Sequence, residues 1–79
     1  MPKLAGPATS KRIGTEYGWE LWERLQSYYK KKEMRGPWTC DEECEEEAAL
    51  QGCEPVAFVA AAKKAWLSRQ KEWKRDDDV

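Results

Sequence analysis

Two points of punctuation constrain this chain more than any other feature. Gly36-Pro37 and the segment Gly52-Cys53-Glu54-Pro55 each place a residue that ends a helix beside one that cannot continue it or that opens the next. The segments they separate carry apolar residues at helical spacing, and none shows strand-like alternation. The expected fold is therefore all-α, a small three-helix domain with a disordered or extended N-terminal arm. A chain of 79 residues has material for one modest core. The expected division is a flexible basic arm over 1–14, a three-helix domain over 15–75 and an acidic tail over 76–79. No internal repeat is visible.

The first helix is predicted to start at Thr15, a suitable N-cap, and to end at Glu33 or Arg35. At about 100° per residue, Tyr17, Leu21, Trp22, Leu25, Tyr28 and Tyr29 share one broad face. Trp19 falls nearly opposite Leu21, among Glu23, Gln26 and Lys30. A second helix is predicted over 39–51, opened by a capping box of Thr39 and Glu42 and closed by Gly52. Its apolar face is thin and comprises Cys40, Cys44 and Ala48 beside Gln51. A third helix is predicted over 55–74, with Phe58, Val59, Ala62, Ala65, Trp66 and Trp73 in one stripe. Leu21, Trp22, Leu25, Val59, Ala62 and Trp66 are the expected core. The run from Ala60 to Ala62 is slim enough for close helix approach.

Charge is balanced in sum and uneven in place. The net charge is −1, yet six of the seven residues from Asp41 to Glu47 are acidic, while Lys3, Lys11 and Arg12, and then Lys30 to Lys32, make basic clusters. Such blocks suit solvated helix faces and docking onto a charged partner. Five tryptophans in so short a chain point to an interface as well as a core, since tryptophan is favoured at contact hot spots.

The chain contains no histidine, so histidine-based triads and histidine metal ligands are excluded. There is no glycine-rich phosphate loop, and no pair of carboxylates is placed across an apolar cleft. The expectation is a non-enzyme without a cofactor. Cys40, Cys44 and Cys53 follow a C-x3-C-x8-C spacing that matches no common zinc or iron–sulfur pattern, and acidic neighbours disfavour thiolates. They read as small buried apolar residues, with a disulfide from Cys53 to Cys40 or Cys44 as the alternative. No metal is expected.

Thr39 to Trp66 also reads as helix, glycine turn, helix, with Lys63, Lys64 and Arg69 available to a recognition helix. Arg35-Gly36-Pro37-Trp38-Thr39 and the acids after it resemble the opening of a Myb/SANT repeat. That resemblance stops there, because Glu46 and Glu47 stand where such a repeat buries leucines. The acidic helix would repel phosphate. It could instead imitate a phosphate backbone. The terminal Asp76-Asp77-Asp78-Val79 superficially resembles a PDZ-type ligand.

These readings converge on a protein–protein interaction module, a small helical accessory subunit or adaptor of a larger assembly, with a homodimer as one form of it. The alternatives are a helix-turn-helix-like DNA-binding regulator, or an acidic inhibitor, of the kind a phage could encode, that blocks a basic nucleic-acid-binding groove of a host protein. The expected partner-binding residues are Trp19, Glu23, Glu42, Glu43, Glu46 and Trp73. No apolar run approaches the ~20 residues of a membrane-spanning helix. The first fourteen residues lack a secretory apolar stretch and fit a flexible tail or an organelle-targeting segment. The expected setting is intracellular, either cytoplasm or organellar matrix.

Overall fold

In the computed structural model, which describes residues 4–28 and 37–77, the chain forms three α-helices and no strand among the described residues. They are α1 (Pro7–Tyr28), α2 (Asp41–Gln51) and α3 (Pro55–Asp77). The all-α, three-helix expectation holds, and three details of it change.

First, α1 begins at Pro7, eight positions before Thr15, so the non-helical arm among the described residues is only 4–6. Proline at the first helical position opens α1 as it opens α3. Thr15 lies inside the helix, and its hydroxyl donates to the Lys11 carbonyl one turn back (2.9 Å) instead of capping. Second, α2 starts at Asp41 with Cys40 as N-cap and no side-chain cap bond, so the Thr39 capping box does not form. The Trp38 indole fastens this end by donating to the Asp41 carboxylate (2.7 Å). Third, α3 runs three residues past Lys74, into the expected acidic tail. The predicted continuation of the first helix past Tyr28, and the Lys30 to Lys32 cluster, lie outside the described residues.

Gly52 ends α2 as expected. It is left-handed (φ 69°, ψ 33°), and the Cys53 amide donates back to the Ala48 carbonyl (2.8 Å). A Cβ at Gly52 would meet nothing within 4 Å, so Gly52→Ala carries only the backbone penalty of a left-handed residue. It should cost about 1–2 kcal/mol, read as a lower urea midpoint with an unchanged slope.

The pairing of α1 and α3 organises the rest. Ser10 meets Glu54, Gly14 meets Phe58, Gly18 meets Ala62 and Trp22 meets Trp66. Each pair is 44 positions apart in sequence, so α1 and α3 run parallel. Trp38, just before α2, packs on Trp66, whereas Gly52, just after it, accepts a hydrogen bond from Ala5 at the start of the chain. The short α2 therefore runs antiparallel to both long helices and packs mainly on α3.

The seam between the long helices has two halves. The first is made of small residues. Ser10, Gly14 and Gly18 are buried at one-turn intervals, and a Cβ on either glycine would overlap the α3 backbone, lying 3.0 Å or less from the Phe58 and Ala62 Cα atoms. The buried Ser10 hydroxyl donates to the Ala5 carbonyl (3.1 Å) and accepts from the Glu54 amide (2.9 Å). It thereby satisfies one of the amides that α3 leaves unpaired at its start. The Glu54 carboxylate takes another, from Ala57 (3.2 Å). The second half is aromatic. Trp22 packs edge-on against Trp66 (5.2 Å) and Trp73 (5.7 Å), and Trp66 meets Trp38 (5.6 Å), the offset geometry that ring quadrupoles prefer.

Leu21, Trp22, Ala62 and Trp66 are buried as expected, together with Phe58 and, from the α2 side, Cys44, Ala48 and Cys53. Leu25 and Val59 only pack against this core and stay half-buried. Four of the five tryptophans are joined in the internal aromatic chain. The tryptophan excess thus goes chiefly to holding the helices together, and Trp19 alone lies outside that chain.

Candidate functional site

Two surfaces outside the core bear on the expected site, the flank of α1 and α3 away from α2 and the outer face of α2. Tyr17 turns toward α2: its ring tilts against Phe58 (5.5 Å) and its hydroxyl accepts from Arg24 (3.3 Å). Trp19, two residues on and thus about 200° round the helix, turns to the flank that α2 leaves open.

On that open flank α1 and α3 enclose a shallow groove of about 360 Å³. Ala8 and Lys11 line it from α1, and Ala57, Ala60, Ala61 and Lys64 from α3. Its floor is alanine because the glycine seam draws the two backbones together and leaves no large side chain to fill the valley. A second hollow, of about 340 Å³, shares Ala8 and Lys11 and continues along α1 past Arg12, Thr15 and Glu16 to Trp19. Trp19 is 41% exposed, with the Arg69 guanidinium 5.3 Å from its ring centre. That cation–π contact covers part of the ring from inside the chain. The flank is thus an apolar groove with lysines at its rims, which runs on past Glu16 to an indole at its edge.

The other surface is α2. Cys44 and Ala48 face inward, which leaves Glu42, Glu46 and Leu50 in a row on the outer side, spaced at i, i+4 and i+8. All three are exposed, Leu50 at 82%. Glu43 and Glu45 flank the row, while Glu47 is half-buried and accepts from Gln51 (3.0 Å).

The six expected partner-binding residues therefore do not form one site. Glu42 and Glu46 share the α2 ridge with Glu43 beside them. Trp19 lies on the flank of α1 and α3, and Glu23 is exposed one turn beyond it but already engaged within the chain. Trp73 is half-buried against Trp22 and belongs to the aromatic chain. Sequence reasoning missed the groove. The i, i+3, i+4, i+7 spacing of Ala57, Ala60, Ala61 and Lys64 was a readable signal for a helix face.

The cysteines are free thiols, with Cys44 and Cys53 buried. Burial pushes the Cys44 thiol up to about 12, helped by Cys40 and by Glu43, Asp41 and Glu47. Cys40 is raised for the same reason. Both are poor thiolates and hence poor ligands or nucleophiles. Among the described residues, no three histidine, cysteine or acidic side chains are grouped to hold a metal ion, and no helix is long and apolar enough to cross a membrane. Comparison of the chain with protein-family models, curated proteins and solved structures finds no match.

Proposed function

We propose that the chain is a non-enzymatic protein–protein interaction module, a small helical accessory subunit or adaptor, and that it docks through the open flank of α1 and α3. The observation that carries this reading is the alanine-floored, lysine-rimmed groove running on to Trp19. A trough between two helices is the usual receptor for an amphipathic helix, and an indole at the rim of such a trough is a typical anchor. The exposed carboxylates of α2 keep the acidic-inhibitor reading as the second choice, and they weigh against phosphate-backbone binding by the helix pair that follows Trp38.

Trp19→Ala tests the reading. Its side chain is outside the core, so helix content should be unaltered. Loss of the Arg69 contact should lower stability by no more than about 1 kcal/mol. Association, with a second copy or with a partner recovered by pull-down, should weaken by more than about 1 kcal/mol. Circular dichroism, a thermal melt and analytical ultracentrifugation read the three quantities. Unaltered association would remove this flank as the docking face.

A further inference from the structure

The groove and the α2 ridge are complementary, and the same chain carries both. The groove has lysines at its rims, Lys11 on α1 and Lys64 on α3, above a floor of small apolar side chains. The ridge has two carboxylates, Glu42 and Glu46, followed by Leu50, an apolar side chain exposed to 82%. None of these four charged groups makes a side-chain hydrogen bond or ion pair within the described chain. The lengths agree as well. At 1.5 Å per residue the ridge from Glu42 to Leu50 spans about 12 Å, and the groove from Ala57 to Lys64 about 10 Å.

We infer that the groove receives the α2 ridge of a second copy of this chain, with Leu50 seated on the alanine floor and the Glu46 carboxylate, one turn before it, at a lysine-bearing end of the groove. This inference rests on the docking role of the groove and names its occupant. Ridge and groove are separate surfaces of one molecule, so the contact is heterologous. Each copy in a pair keeps one unused surface, and the association can propagate into a closed ring or a chain. A single short ridge in a shallow trough falls at the small end of interfaces. The association is therefore weak, concentration-dependent and, with exposed charges at its rim, reduced by salt.

The test is sedimentation of the full chain in reducing buffer, over a range of concentrations, at low and high salt. The wild type should show a mass that rises with concentration and falls with salt. Two charge-reversed variants, Lys11→Glu with Lys64→Glu and Glu42→Lys with Glu46→Lys, alter exposed residues only and should keep the wild-type circular dichroism. Each alone should associate at least about tenfold more weakly, because like charges then face each other. An equal mixture of the two should regain association, since each supplies the surface the other lacks. A wild type that stays monomeric throughout would overturn the inference. So would association that neither variant weakens, or variants that stay apart when mixed. If the chain is monomeric but Trp19→Ala still weakens capture of a different protein, the groove keeps its docking role and only the self-recognition fails.

Discussion

Gly14→Ala combined with Gly18→Ala is expected to destabilise the protein by roughly 2–5 kcal/mol, the cost of overpacking at two positions. Helix propensity predicts the opposite sign. Alanine is better than glycine in a helix interior by about 1 kcal/mol per site, so an isolated α1 peptide should gain helicity from the same changes. In the folded chain each new methyl group would meet α3 backbone at Phe58 and Ala62, and at Gly18 also the Ala65 Cβ, 2.9 Å away. Backbone cannot turn aside as a flexible side chain can, so the helices must move apart. That movement loosens the Ser10 hydrogen bonds at one end of the seam and the Trp22–Trp66 contact at the other. The two losses should not simply add, because a seam opened by the first methyl makes room for the second one turn away. A domain of this size holds only about 4–12 kcal/mol of stability, so the double variant can be largely unfolded. Urea denaturation of both single variants and the double variant measures this, with circular dichroism of the peptide as the control. A more stable double variant would mean that the long helices are not in backbone contact.

Alkali should destabilise the protein through a group that is silent at neutral pH. The Cys44 thiol titrates near 9.0 in the unfolded chain and at about 12 in the fold. Below pH 9 both states hold the proton and the group contributes nothing to the pH dependence. Between pH 9 and 12 the folded state binds more protons than the unfolded one, so stability falls as pH rises. Above 12 both are ionised and the loss is complete, at no more than about 4 kcal/mol for three pKa units, because solvent screening lowers the full figure. Cys40 and Tyr17, also raised by burial, add slope of the same sign. Cys44→Ala should cost about 1 kcal/mol at neutral pH for the lost sulfur contacts, yet flatten the decline above pH 9. Denaturation midpoints of both proteins across that range, under reducing conditions, check it. Parallel profiles would show that the Cys44 thiol ionises in the folded chain as easily as in the unfolded one.

How much of this was legible depended on whether the signal was local. Gly52 and Pro55 act through their own backbone angles, and both ends they mark are where the sequence puts them. Trp19 was readable as an outlier because its angle on α1 follows from 3.6 residues per turn. Gly14 and Gly18 were not readable in that way. A glycine that breaks a helix and one that admits a neighbouring backbone are the same residue, and only the partner, 44 positions away, tells them apart. The small residues of the α1 N-terminal half were therefore read as a flexible arm. Trp38 was obscured for a related reason. It precedes α2 and has no helical phase to follow, yet it reaches Trp66 and fastens α2 through Asp41. The groove was lost with α1, since one of its walls is the segment read as unstructured.

The parallel pairing of α1 and α3 also dictates the order in which the molecule can assemble. In an up-down bundle with short loops every helix meets its sequence neighbour, contacts are local and folding is fast. Here the largest interface joins segments whose every matched pair encloses a loop of more than forty residues, and closing such a loop costs chain entropy before any contact compensates it. α2 and α3, linked through the Gly52 turn and in contact with each other, are placed to meet early. The first helix of the chain is then the last to dock. It arrives on a platform already built from its successors, so refolding is expected to be limited by closure of the α1–α3 loop.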